Sequence, residues 1–239
     1  MSIGCDEPTK AAGTKSQASR DSIYFSIGRR SRMILIGQYD SPFVRRVAVS
    51  LRVLGFSYEH DTRSVFADFD AMRKVNPLGR IPSLALDDGE VLIDSAAILD
   101  WLDQTVGSER ALVPPGGPGR RRALGRMALA TGVIDKAGAA TYERVIRPPA
   151  LRWPEWIDRC RTQAAGAIAV LGAESWPADG RIGQDEITTA CMIRYVRLVD
   201  AELLLLGKYP SLDALSARCE ARPEFRATFP AVYSVPRGE

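Results

Sequence analysis

The chain has 239 residues, of which 46% are hydrophobic and 26% are charged, enough for the core of one large domain or two small ones. The net charge of +3 comes entirely from residues 1–32, so residues 33–239 balance at 26 basic and 26 acidic residues, which disfavours a nucleic-acid-binding protein. No apolar run approaches the roughly 18 residues that a membrane-spanning helix needs.

Cysteine and histidine usage argues against metal and triad chemistry. The four cysteines, at positions 5, 160, 191 and 219, form no C-x-x-C pair and no spacing typical of metal ligands. The single histidine, His60, would have to serve any histidine-based metal site or Ser/His/Asp triad alone. We therefore expect no metal, and reduced structural cysteines of the kind found in cytoplasmic proteins.

Residues 1–32 have the composition of an unfolded segment, rich in Ser, Gly, Lys and Arg. They contain no apolar core of a signal peptide, and their three acidic residues argue against a transit peptide. We predict a disordered leader. Because Met33 directly precedes the first convincing strand, an upstream start codon is the favoured explanation for this segment.

Strand and helix patterns alternate between residues 33 and 106. Short apolar runs predict buried strands, and apolar residues that repeat every three or four positions predict helices. The predicted elements are strands at 33–36, 56–60, 80–86 and 91–93, and helices at 41–55, around 66–75 and from residue 94 onward. The turn signal Asp87-Asp88-Gly89 makes the last two strands a hairpin. The order β-α-β-α-β-β-α predicts a mixed four-stranded sheet with helices on its faces.

The second half of the chain carries no strand pattern. A Pro/Gly-rich stretch at 114–119 predicts a linker, and helices are predicted at 120–145, 155–173, 184–206 and 211–221. We therefore predict an α/β domain at 33–106, a linker at 107–119 and an all-α helical bundle at 120–230. Three glycines of the first bundle helix, at 125, 132 and 138, favour close packing against another helix or subunit, since each costs roughly 0.5–1 kcal/mol relative to Ala.

Three local motifs accompany this architecture: Ser41-Pro42-Phe43-Val44, Asn76-Pro77-Leu78-Gly79-Arg80-Ile81-Pro82 and Asp94-Ser95. Together with the architecture they resemble the soluble glutathione transferase superfamily, whose N-terminal domain is thioredoxin-like. The first motif, Ser41-Pro42-Phe43-Val44, is similar to the C-P-Y-C element of glutaredoxins, with Ser and Val at the cysteine positions. A thiolate at a helix N-terminus has a lowered pKa, and a hydroxyl donor lowers it further. The resemblance implies that Ser41 stabilises the glutathione thiolate. Tyr39 is the alternative donor, and Ser41 as a simple N-cap is the alternative role.

The second and third motifs concern binding of glutathione. Asn76-Pro77-Leu78-Gly79-Arg80-Ile81-Pro82 is similar to the family segment N-P-x-G-[KR]-[VI]-P, whose last proline is cis. The resemblance implies that the backbone of Ile81 pairs with the cysteinyl part of glutathione, with Arg80 and Pro82 beside it. Asp94-Ser95 matches the family's [ED]-S, which implies that Ser95 binds the γ-glutamyl carboxylate at a helix N-terminus and that Asp94 holds the ammonium group or a neighbouring donor.

The resemblance implies a cytoplasmic, homodimeric detoxification enzyme with glutathione as co-substrate. The glutathione thiolate would attack an electrophilic small molecule or a peroxide, and isomerisation of a conjugated diene acid stays open. The second substrate is expected near residues 126–145. Tyr142 and Arg144 are possible contacts, and core or surface roles are the favoured alternative for both. A thiol-disulfide oxidoreductase would need Cys at position 41, and a non-catalytic interaction protein of the same fold is the remaining alternative.

Overall fold

The computed structural model describes residues 33–178 and 180–230, and the predicted leader lies outside them. The first half holds β1 (Ile34–Ile36), α1 (Pro42–Val53), β2 (Glu59–Asp61), α2 (Phe69–Val75), β3 (Ser83–Ala85), β4 (Val91–Ile93) and α3 (Ser95–Val106). This order confirms the predicted β-α-β-α-β-β-α succession. The strands form one sheet in the order β2-β1-β3-β4. β1 is parallel to β2, and the other two pairings are antiparallel, which is the mixed sheet of a thioredoxin-like fold.

Two predicted strands, those expected from residues 56 and 80, begin three residues later in the structure. β2 begins at Glu59, because Phe56 and Gly55 donate their backbone N–H groups to Leu51 and Arg52 and so close α1 with a Schellman motif. β3 begins only at residue 83. The side-chain amide of Asn76 binds the carbonyl of residue 80 at 2.9 Å, so that carbonyl is used inside the loop instead of in the sheet.

The second half is helical, as predicted. It contains α4 (Gly117–Val145), α5 (Pro154–Ala173), α6 (Gln184–Val199), α7 (Pro210–Glu220) and α8 (Pro223–Arg226), with 3-10 turns at Pro149–Leu151 and Ala201–Leu204. The prediction of one helix over 184–206 was wrong. The backbone leaves the helical region at Asp200 (φ −155°), whose buried carboxylate pairs with Arg144 at 3.3 Å and Arg161 at 3.1 Å.

Helix α1 lies between the sheet and the helical half. Nine of its twelve residues are buried, so it is covered on more than one side. Its Ser50 hydroxyl donates to the side-chain carbonyl of Gln184 at the start of α6, at 2.9 Å. The division into two domains around 107–119 stays a prediction. Over the described residues, no helix combines the length and apolar character that a membrane crossing requires.

Candidate functional site

The start of α1 presents Ser41 to a cavity. Ser41 has extended backbone angles (φ −72°, ψ 117°), and its Oγ accepts a long hydrogen bond of 3.4 Å from the N–H of Val44. Pro42 occupies the first helical turn, where its missing N–H costs no hydrogen bond. Because Oγ acts as the acceptor toward Val44, its proton remains available to a group in the cavity.

The cavity at Ser41, called here the first cavity, has a volume of about 490 Å³. It lies between the start of α1, the segment 79–81 and helices α4 and α6. Four aromatic residues line it, namely Phe43, Phe66, Tyr142 and Tyr195. The rings of Phe66 and Tyr142 meet edge to face at 5.9 Å, which joins the loop after β2 to α4. The walls of this cavity are therefore largely apolar and aromatic.

A second cavity of about 310 Å³ adjoins the first. The predicted binding residues Arg80, Ile81, Pro82, Asp94 and Ser95 all line it, and Arg80 and Ile81 line the first cavity as well. The Ile81–Pro82 peptide bond is cis, as the resemblance implied. The structure thus brings together, around two adjoining cavities, all six residues that the motifs singled out.

Ser95 is joined to a residue that the sequence motifs did not reveal. Its hydroxyl accepts a hydrogen bond of 2.7 Å from Nη2 of Arg46, and the two residues are only 2% and 3% exposed. Burial lowers the pKa of Arg46, and the nearby carboxylate of Asp94 acts in the opposite direction. Arg46 also lines the second cavity, and its Nε has no hydrogen-bond partner among the described residues. The available sequence signal was a pair of arginines within the apolar stretch 42–49 of α1.

Asp94 forms the N-cap of α3. Its carboxylate accepts a hydrogen bond of 2.8 Å from the N–H of Ala96. Its φ of 69° lies in the left-handed region, which Asp tolerates better than most residues. This backbone conformation turns the chain from β4 into α3 at the edge of the second cavity.

Asp135 of α4 was also not predicted. It lines both cavities at their junction. Burial raises the pKa of its carboxyl group, while Arg80 and Lys136 act to lower it. Among the described residues it forms no ion pair within 4 Å, so its charge faces the cavities uncompensated by a direct contact.

Two residues considered from the sequence are directed elsewhere. The hydroxyl of Tyr39 lies 2.9 Å from the hydroxyl of Tyr58, its ring stacks on His60 at 3.9 Å, and it lines neither cavity. This geometry favours Ser41 over Tyr39 as the donor in the first cavity. Arg144 does not line the first cavity and pairs with Asp200, whereas Tyr142 does line it.

The chemistry of the site is that of side chains and backbone. Among residues 33–178 and 180–230, no cluster of three or more His, Cys, Asp or Glu residues is arranged to hold a metal ion. The three described cysteines are free and buried. The groups that can act are the hydroxyl at the start of α1, the buried guanidinium and serine at the start of α3, and the carboxylate between the cavities.

A thioredoxin-like sheet followed by a helical bundle, with cavities where the first and third helices begin, defines the architecture of the soluble glutathione transferases. Residues 35–110 match the family model for the glutathione S-transferase N-terminal domain. A crystal structure of a glutathione transferase family member from Pseudomonas fluorescens, with bound glutathione, is 34% identical with a TM-score of 0.73. The alignment covers 84% of this chain and 100% of that one. The chain belongs to the glutathione S-transferase superfamily.

Further relatives differ in their described activities. A glutathione S-transferase from Methylobacterium radiotolerans, in complex with glutathione sulfonate, is 27% identical with a TM-score of 0.79, covering 87% of this chain and 99% of that one. The uncharacterized GST-like protein YibF of Escherichia coli is 28% identical over 69% of this chain and 82% of its own length. The maleylacetoacetate isomerase of Pseudomonas aeruginosa is 25% identical over 83% of this chain and 96% of its own length.

Proposed function

We propose that the protein binds reduced glutathione across the two cavities and transfers its thiolate to an electrophilic small molecule. One observation carries this proposal. The first cavity contains the Ser41 hydroxyl, the second contains the Arg46–Ser95 pair, and the segment at Arg80 and Ile81 borders both. A tripeptide that follows this segment has its γ-glutamyl end and its sulfur in two chemically different surroundings.

The γ-glutamyl end of glutathione is assigned to the second cavity. Its carboxylate faces the N-terminus of α3, where Ser95 and the buried guanidinium of Arg46 supply donors and positive charge. Its ammonium group faces acidic side chains, for which Asp94 and Asp135 are the candidates in the lining. The relatives with bound glutathione or glutathione sulfonate support the choice of ligand.

The cysteinyl part is assigned to the junction of the cavities, along the backbone of Ile81 and beside Pro82. Its sulfur then faces the N-terminus of α1 and the Ser41 hydroxyl. Helix N–H groups and a hydroxyl donor favour the thiolate, so the thiol loses its proton near neutral pH without a histidine base. The thiolate forms a C–S bond to the electrophilic carbon while a leaving group departs, or a proton is added where there is none.

The second substrate is assigned to the first cavity. The aromatic rings of Phe66, Tyr142 and Tyr195 offer flat apolar surfaces to it. Of the two contacts considered from the sequence, Tyr142 fits this role and Arg144 does not. A cytoplasmic homodimer remains part of the proposal by family resemblance alone.

Calorimetry with reduced glutathione, followed by conjugation of 1-chloro-2,4-dinitrobenzene, tests the proposal. We expect the parent to bind and conjugate, and Ser41→Ala to bind while losing conjugation. Binding without turnover of any electrophile, diene acid or peroxide would favour the non-catalytic interaction protein. Isomerisation of a conjugated diene acid without conjugation would favour the activity named for the Pseudomonas aeruginosa relative. The absence of binding at millimolar glutathione would overturn the proposal.

A further inference from the structure

Arg45, the residue directly before Arg46, is held by the C-terminal part of the chain. It is 1% exposed, and its Nη1 and Nη2 donate to the two carboxylate oxygens of Glu220 at 2.7 and 2.6 Å. Its Nε donates to the carbonyl of Thr228 at 3.1 Å, and Nη2 also donates to that of Phe225 at 3.2 Å. We call Glu220, Phe225 and Thr228 the C-terminal clamp.

The Arg45 guanidinium is well matched to the clamp in charge and packing. Burial acts to lower the pKa of Arg45, but hydrogen bonding and charge attraction from Glu220 outweigh it, so the net shift is upward. The guanidinium also lies 5.4 Å from the ring centre of Phe225. Arg45 is buried, whereas the side chain of Glu220 is 21% exposed. Removing the carboxylate therefore leaves the guanidinium charge buried without compensation, which destabilises the fold.

Arg45 and Arg46 point to different parts of the molecule. Consecutive residues of a helix lie about 100° apart around its axis, since a turn contains 3.6 residues. Arg45 therefore faces the clamp, while Arg46 faces Ser95 and the second cavity. Both guanidinium groups are buried and hydrogen-bonded, so rotation or sliding of α1 would break these contacts. The same helix begins at Ser41, so one rigid element positions groups in both cavities.

We infer that Arg45 and Glu220 are positioning residues for the glutathione site, acting through α1. This inference rests on the proposed function. When Arg45 is bound to the clamp, α1 holds Arg46 and Ser41 in their positions relative to the start of α3. Formation of the contacts between Arg45 and the clamp and binding of glutathione then favour each other. Thermodynamic linkage requires the coupling free energy to be the same in both directions.

Two variants of the full chain separate positioning from simple stabilisation. Glu220→Gln removes the charge, and Arg45→Met with Glu220→Leu replaces the whole pair by apolar side chains, which often preserves stability. Glu224→Gln is the matched control, because Glu224 lies in the same segment and pairs locally with Arg222. We expect the glutathione Kd by calorimetry to rise about 5- to 50-fold in both clamp variants, which lies within the usual range of coupling between sites, and to stay unchanged in the control.

Hydrogen exchange provides a readout that does not depend on activity. We expect saturating glutathione to slow amide exchange over residues 221–229 in the parent, and the effect to shrink in Glu220→Gln. Equal exchange with and without glutathione, or clamp variants that stay folded by circular dichroism and keep the parent Kd, would overturn the inference alone. A parent that does not bind glutathione would overturn the proposed function together with it.

Discussion

Nη2 of Arg46 donates to the hydroxyl oxygen of Ser95 at 2.7 Å, which joins the first helix to the start of the third. Because the hydroxyl oxygen accepts from the guanidinium, its proton is available to an acceptor in the second cavity. The buried arginine thus orients Ser95 as a donor and adds positive charge next to it. An anionic carboxylate is the ligand group that this arrangement fits best.

Ser95→Ala is expected to weaken both the site and the fold. The substitution leaves the buried Nη2 of Arg46 without its acceptor, which costs about 1–3 kcal/mol of the free energy of unfolding. Loss of the hydroxyl should also raise the glutathione Kd by roughly tenfold, the value of one charge-assisted hydrogen bond of about 1.4 kcal/mol. Chemical denaturation and calorimetry measure the two effects. The exposed Ser57, changed to Ala, is the control and should change neither quantity.

Substitutions at Ser41 can separate helix capping from catalysis. Replacing an N-cap Ser by Ala costs about 0.5–2 kcal/mol of stability, whereas Gly costs only a few tenths. If the hydroxyl stabilises the thiolate, Ser41→Gly and Ser41→Ala should lose conjugation equally, and Ser41→Thr should restore part of it. The pH dependence of kcat/KM should also move to higher pH in the first two variants. Activity that follows the stability ranking instead would assign Ser41 a capping role only.

Gly37→Ala should displace Val44 or Ile81 and so disturb the glutathione site. Gly37 has a φ of 127°, and an added Cβ would lie 2.6 Å from Cγ2 of Val44 and 2.8 Å from Cβ of Ile81. Gly89→Ala is the control, because its φ is 93° and its Cβ would meet nothing within 4 Å. We expect Gly89→Ala to show only the backbone strain of about 1–3 kcal/mol. Gly37→Ala should lose more stability and also glutathione affinity; equal losses in the two variants would argue against the contact.

Alanine substitutions at two glycines of α4 distinguish an effect on the shape of the first cavity from an effect on helix propensity. A Cβ at Gly138 would lie 3.2 Å from the hydroxyl of Tyr195, whereas one at Gly132 or Gly125 would meet nothing within 4 Å. Gly132→Ala should therefore stabilise the protein by about 0.5–1 kcal/mol. Gly138→Ala should raise KM for the second substrate while leaving the glutathione Kd unchanged. Destabilisation by Gly132→Ala, measured by chemical denaturation, would instead indicate a packing partner such as a second subunit.

Two thiols should resist ionisation and labelling. Burial raises the pKa of Cys191 and Cys219 from an ordinary value of 9.0 to about 12. Both thiols are 1% exposed, so iodoacetamide at pH 8 should leave their peptides unmodified until denaturant is added, as mass spectrometry would show. Rapid labelling of the native protein would contradict this burial.

The same shifts predict a loss of stability in alkali. Thiols of the unfolded chain ionise near pH 9, while those of the folded chain stay protonated until about pH 12. The stabilisation is therefore complete below pH 9 and is lost as the pH rises from 9 toward 12. Chemical denaturation at pH 8 and pH 10.5 would show this fall. Cys191→Ala should make it smaller, and an unchanged pH dependence would argue against the assignment.

The sequence determined the order of the elements and the location of the three motifs. These features depend on local rules: the spacing of apolar residues, a Ser-Pro helix start, a D-D-G turn and a Pro-rich interruption. The exact ends of the elements could not be predicted from the sequence. Phe56 belongs to the motif that closes α1, and Asp200 pairs with two arginines from other helices.

Only the tertiary structure decided which side chains complete the site. Arg46 and Ser95 are 49 positions apart, and Asp135 comes from a helix of the second half, so no local pattern links them. The orientation of Tyr39 toward Tyr58 likewise depends on the pairing of strands. Local sequence governs backbone conformation over a few residues, whereas burial and cavity lining depend on contacts through space. For that reason the sequence motifs located the two cavities, whereas only the tertiary structure revealed the other residues that line them.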